Sequence, residues 1–202
     1  MQRQTVRGTG TKDRVIEAAF QLIHRQGFNN TSLEDILRES GVGKGNFYHY
    51  FKSKDDLGYA ILDRLALWAT DELGRKVFAS GEDPVEDIFR LLERIAVVQR
   101  NTACVGGCPL GNFALEMSDI HDGFRRRIGE ILTSWRDHIS EAITRALDRG
   151  QLARNVQPQR LAEFIIAGIE GAILSARVHK DPSILDGCFD ELKRHVGAYR
   201  PE

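Results

Sequence analysis

The chain has 202 residues, of which 42% are hydrophobic and 28% charged, and its formal net charge is -1. That length and composition exclude a disordered or fibrous chain and fit a soluble globular protein, either one large domain or a small one joined to a larger one. No apolar run approaches the roughly 20 residues a bilayer requires, no signal-peptide pattern is seen, and three cysteines make no secreted disulfide framework, so a cytoplasmic protein with no membrane partner is expected.

The near-zero net charge hides an asymmetry. Residues 1–54 hold nine Lys and Arg against five Asp and Glu, whereas the remainder holds 19 against 24. Basic charge gathered in one segment is the electrostatic footprint of a surface facing a polyanion.

Residues 1–10 carry Arg3 and Arg7 with few apolar anchors. They read as a terminal arm, either disordered or touching a minor groove or phosphate. A first helix is expected over Lys12–Gln26, with Val15, Ile16, Ala19, Phe20, Leu22 and Ile23 as its apolar stripe and Gly27 as its stop. A short second helix carries Leu33, Ile36 and Leu37 on one face. Thr31 and Glu34 fit a capping box at its start, and Ser40-Gly41 ends it. The third run, Lys44–Phe51, sets Phe47 and Phe51 on one face and Lys44, Asn46, Tyr48 and His49 on the other. Helix, tight turn and a helix faced with donors and rings make a helix–turn–helix, whose second helix suits the major groove. Gly43 and Gly45 lack side chains that would keep the backbone from a phosphate. Ser53 is the expected N-cap of a fourth helix, where Lys54 and free N–H groups would suit a phosphate.

The run GVGKGNFYHYFKSKDDL resembles the recognition helix and following turn of TetR-family transcriptional repressors, and the likeness covers residues 12–60. Asn46 departs from the pattern, where Ser, Thr or Ala is commoner. The resemblance implies an all-α homodimer that binds a palindromic double-stranded DNA operator and is released by a small ligand held in its C-terminal part. Residues 1–54 would form the DNA-binding domain and 55–202 the helical ligand-binding and dimerisation domain. Candidate DNA contacts are Thr31, Ser32, Gly43, Lys44, Gly45, Asn46, Tyr48, His49, Lys52 and Lys54. Lys44 and Asn46 are assigned to base edges; Tyr48, His49 and Lys54 to phosphates.

Beyond this segment the pattern stays helical. The fourth helix is expected to reach about Ala79, with Leu57, Ile61, Leu65, Trp68 and Leu73 inward, before a break at Gly81–Pro84. A fifth follows over Val85–Asn101, then the irregular TACVGGCPLGN, and helix resumes at Pro109. The most regular periodicity spans Asp122–Arg149, and two further helices follow Pro158 and Pro182. Both are apolar on more than one face, which calls for a second copy as the covering partner in a two-fold four-helix interface. Cys188 is expected in the core of the last.

A cavity lined by Phe89, Phe113, Trp135 and Phe164 is the expected ligand site, with His138 either bonding a ligand or satisfied in the core. Asn112 and Glu116 either point into the same space or cap and solvate. Cys108, before Pro109, would stand at a helix N-terminus that favours thiolate; it reads as an electrophile sensor or as a packed turn residue. The run GCPLGNFALE also resembles a segment of those TetR-like repressors that respond to reactive or aromatic compounds. No cysteine–histidine spacing makes a metal site, no cofactor is implied, and no nucleophile–base pair, P-loop or dinucleotide fingerprint suggests an enzyme. An all-helical carrier would leave the polar face of Lys44–Lys52 without a purpose.

Overall fold

The computed structural model describes residues 10–71, 77–78 and 83–201, and among these every regular element is a helix. In chain order they are α1 (Thr11–Gln26), α2 (Leu33–Ser40), α3 (Lys44–Tyr50), α4 (Lys54–Ala69), α5 (Pro84–Asn101), α6 (Pro109–Met117), α7 (Asp122–Asp148), α8 (Pro158–His179) and α9 (Pro182–Gly197). The terminal arm, and the end of the fourth helix with Leu73, Ala79 and Gly81, lie outside the described residues.

The capping residue of α2 is displaced by one position from the expected pair. Ser32, in an extended conformation, accepts from the Asp35 N–H, and Asp35 in turn accepts from the Ser32 N–H. Thr31 is fully buried and donates its hydroxyl to the Gly27 carbonyl at 2.7 Å. Thr31 is tied back to the preceding turn, and the capping role falls to Ser32, whose hydroxyl accepts from the Asp35 N–H while donating to the Asp35 carboxylate at 2.6 Å. Ser53 caps α4 as expected, accepting from the Asp56 N–H at 3.0 Å.

Two apolar cores run through the molecule. One joins α1–α3 to α4, α6 and the first half of α7, through Phe28, Phe47, Phe51, Leu57, Phe113 and Phe124 among others. The other joins α5, the second half of α7, α8 and α9. Cys108 and Trp135 border both. The long α7 is thus the common beam, and its periodicity explains why: one continuous apolar stripe serves successive partners. Gly58 of α4 has no room for a side chain, because the rings of Phe28 and Phe124 lie against it. Arg127 of α7 fastens α4 from outside by donating twice to Asp63, at 2.9 and 2.6 Å.

Candidate nucleic-acid interface

The division of α3 into two faces is complete. Phe47 and Phe51 are 0% and 2% exposed, while Lys44, Asn46, Tyr48 and His49 all face solvent. Phe47 meets Phe51 in a tilted contact at 5.4 Å between ring centroids, so the inner face anchors the helix through aromatic contact with the core. Tyr48 leans edge-on against Phe47 at 5.3 Å yet stays half exposed, and Tyr50, which the sequence reading passed over, is 40% exposed beside it. Gly43 and Gly45 meet no other protein atoms on their outer sides, so the backbone there is open to approach. Ser32 and Lys52 are exposed on the same module.

Two of the expected contacts have other duties. Thr31 is buried, as described. Lys54 turns inward: its ammonium donates to the carbonyls of Phe28 at 2.8 Å and Thr31 at 3.0 Å and lies 4.4 Å above the Phe28 ring. Burial pulls its pKa below the usual lysine value, with Asp55 and Glu116 opposing that fall. A lysine so engaged ties the start of α4 to the α1–α2 turn.

The expected aromatic cavity does not form. Phe113 is buried against Phe28 and Phe124, Phe164 stands half exposed on α8 beside His195, and Phe89 packs on the distal core under Arg200. His138 bonds the Ser134 carbonyl of its own helix at 2.6 Å. Trp135 packs between the two cores, and its indole N–H finds no acceptor among the described residues. Glu116 points to the helix–turn–helix module, where it accepts from the Phe28 and Asn29 N–H groups. Cys188, placed in the core by the apolar pattern, is exposed.

A cavity of about 290 Å³ opens instead between α6 and α8. Leu110, Ala114, Leu132 and Ile173 supply apolar wall, and Cys108, Asn112, Glu170 and Arg177 supply the polar groups. Arg177 donates to the Asn112 side-chain oxygen at 2.7 Å, and the Asn112 amide donates to the Gly106 carbonyl at 2.7 Å. Cys108 and Asn112 are thus the expected ligand residues that line it. Glu170 and Arg177 were missed; their signal was two opposite charges seven apart in the mostly apolar run Ile165–Val178 of α8.

Cys108 does cap α6, its sulfur accepting from the Gly111 N–H at 3.4 Å. The thiol is nonetheless pushed far up in pKa, first by burial and then by the neighbouring Glu170 charge. Helix-end stabilisation of a thiolate is outweighed, because removing a charge from water costs more than a helix terminus returns. Burial also raises the Glu170 carboxyl above its ordinary range. The folded chain therefore keeps a proton that the unfolded chain releases above the ordinary carboxylate pKa. Stability from this group is full below that value, falls as pH rises toward the raised pKa, and then levels. Glu170→Gln is expected to raise Tm at neutral pH and flatten that decline; a Tm profile unchanged from pH 4 to 8 would contradict the assignment.

No described helix is long and apolar enough to cross a membrane. Residues 15–61 match the family model described as "Bacterial regulatory proteins, tetR family", and residues 84–191 match "Tetracyclin repressor-like, C-terminal domain". An HTH-type transcriptional regulator from the lacX 3' region of Lactococcus lactis is 33% identical over 184 residues, covering 91% of each chain. The HTH-type transcriptional repressor DhaR of a Mycobacterium species is 28% identical over 88% of each. The crystal structure of a regulatory protein TetR from Rhodobacter sphaeroides superposes with a TM-score of 0.85 at 27% identity, over 92% of this chain and 98% of that one. Proteins of this kind regulate transcription, bind DNA and dimerise, and they are not enzymes. With a helix–turn–helix that buries its phenylalanines and exposes its donors, ahead of a helical C-terminal part that matches in sequence and shape, the chain belongs to the TetR family of transcriptional regulators.

Proposed function

We propose that the chain is a cytoplasmic repressor that binds a palindromic operator as a homodimer and releases it when a small molecule fills the cavity between α6 and α8. Residues 1–54 read DNA; residues 55–202 hold the effector and the partner. Lys44 and Asn46 address base edges from the first turn of α3, while Tyr48, His49, Lys52 and Ser32 fix its register on phosphates. The observation that carries this reading is the two-faced α3, with Phe47 and Phe51 buried and every donor outward. Dimerisation through α8 and α9 is supported by Phe164, Leu174 and Val178, which are 49%, 52% and 69% exposed at helical spacing along one side of α8. Such a stripe needs an apolar cover. Repression rather than activation is supported by the relative DhaR, which is named as a repressor.

The lining argues for a compact, mainly apolar effector, aromatic or acyl, with one hydrogen-bonding head for Asn112, Glu170 or Arg177. Capture by noncovalent contact is favoured over attack by Cys108, whose thiol stays protonated. A thermal-shift screen of small aromatic, acyl and electrophilic compounds tests this. Compounds that raise Tm are expected to release DNA and to lose at least about tenfold in affinity in Arg177→Leu, as removal of a charged hydrogen-bond partner costs. A releasing compound that binds Arg177→Leu undiminished, or that acts only by alkylating Cys108, would contradict the reading.

A further inference from the structure

The α1–α2 turn is gripped from two sides. Glu116 of α6 accepts from the backbone N–H of Phe28 at 3.2 Å and of Asn29 at 2.9 Å. Lys54, from the start of α4, holds the carbonyls of Phe28 and Thr31. The Phe28 residue is thus bonded at its N–H by an anion and at its C=O by a cation. Gly27 gives the carboxylate its access: its φ is +91°, and a Cβ there would run into Glu116. A second tie runs from the loop before α6, where the His24 ring bonds the Gly107 carbonyl at 3.1 Å.

The helix that carries Glu116 also forms one wall of the cavity. Leu110, Gly111, Asn112, Ala114 and Leu115 line the cavity, while Phe113, Glu116 and Met117 turn to the DNA-facing module or its core. Nine residues of hydrogen-bonded α-helix, about 13 Å long, shift as a unit, so displacement of the cavity side also moves Glu116 on the other. At the far side that displacement meets two charge-assisted hydrogen bonds, which either drag the turn or break.

We propose that Glu116 is the positioning residue that couples the cavity to DNA binding, its carboxylate carrying any displacement of α6 into the α1–α2 turn and so into the orientation of α3. This rests on reading the α6–α8 cavity as the effector site. A residue that merely capped the turn would affect stability and leave the coupling intact.

The test is a double-mutant cycle on the full-length protein, with a duplex selected by the wild type from random-sequence DNA as probe. Ala114→Phe partly fills the cavity and stands in for a bound effector; Ala114→Leu serves as a smaller filler should the first fail to fold. With Glu116 intact, filling is expected to weaken DNA binding about tenfold. With Glu116→Gln present, the same filling is expected to weaken it less than about twofold, and the Phe28 and Asn29 amides should exchange faster with solvent deuterium. Equal weakening with and without Glu116→Gln would overturn Glu116 as the coupler while leaving the cavity in place. No weakening by either filler in the otherwise wild-type protein would overturn the cavity reading, and this coupling with it.

Discussion

Replacing Lys44 and Tyr48 together by alanine is expected to lower operator affinity by about a hundredfold, since each contact of this kind is worth about 1–3 kcal/mol. Neither side chain supports the fold. Both face solvent, and Tyr48 touches the core only through the edge of Phe47. Thermal stability should therefore stay within about 2 °C of wild type, in keeping with exposed substitutions. The two single variants are expected to divide the effect by role. Lys44→Ala should relax sequence preference if it reads a base edge, whereas Tyr48→Ala should weaken all duplexes alike. Titrations of specific and scrambled duplexes at fixed salt check this. A double variant that binds as well as wild type would remove α3 from the interface.

Lys54→Ala is expected to act in the opposite way, through stability. Its ammonium holds two carbonyls and a ring face. Hydrogen bonds from charged donors each contribute about 1.5–3 kcal/mol, but Lys54 is only partly buried and screening reduces its share. A loss of about 2 kcal/mol remains, lowering Tm by about 4–8 °C for a chain of this size. Lys54→Met should recover part of the packing on Phe28 and none of the carbonyl bonding. Calorimetry of the three proteins separates these contributions. A Tm unchanged in Lys54→Ala, with DNA binding lost, would return this lysine to the DNA surface.

What the sequence made legible was local. Phe47 and Phe51, the stops at Gly27 and Gly41, the Ser53 cap and the proline starts at Pro109, Pro158 and Pro182 all depend on neighbours within a helical turn or two. Those readings survive because periodicity and capping are short-range physics. What failed depended on distant parts of the chain. Lys54 finds its acceptors 26 and 23 residues away, and Glu116 reaches back 88 residues to Phe28. No spacing rule reports such pairs. Phe89, Phe113 and Phe164 are each apolar in a helical pattern, but periodicity says only that a side is covered, not by what. Cys108 stands at a helix start as expected, yet burial first, and then the carboxylate of Glu170 from another helix, keep its thiol protonated.

The coupling through Glu116 also gives the two cores a shared logic. α6 belongs to the core of the DNA-facing module through Leu110, Phe113 and Met117, while its other side meets α8 across the cavity. A ligand between α6 and α8 thereby acts on a helix that also belongs to the core of the DNA-facing module. Selection between two orientations of α3 needs only that the ligand favour one of them.

Hydroxyl-radical footprinting of the wild-type protein on DNA it selects tests the central claim most directly. Two protected patches are expected on one face of the duplex, separated by about 10 base pairs or a multiple of that, one for each α3 of a dimer. Protection should vanish in the Lys44→Ala, Tyr48→Ala double variant. A single patch, protection without sequence preference, or a footprint indifferent to that double variant would contradict it.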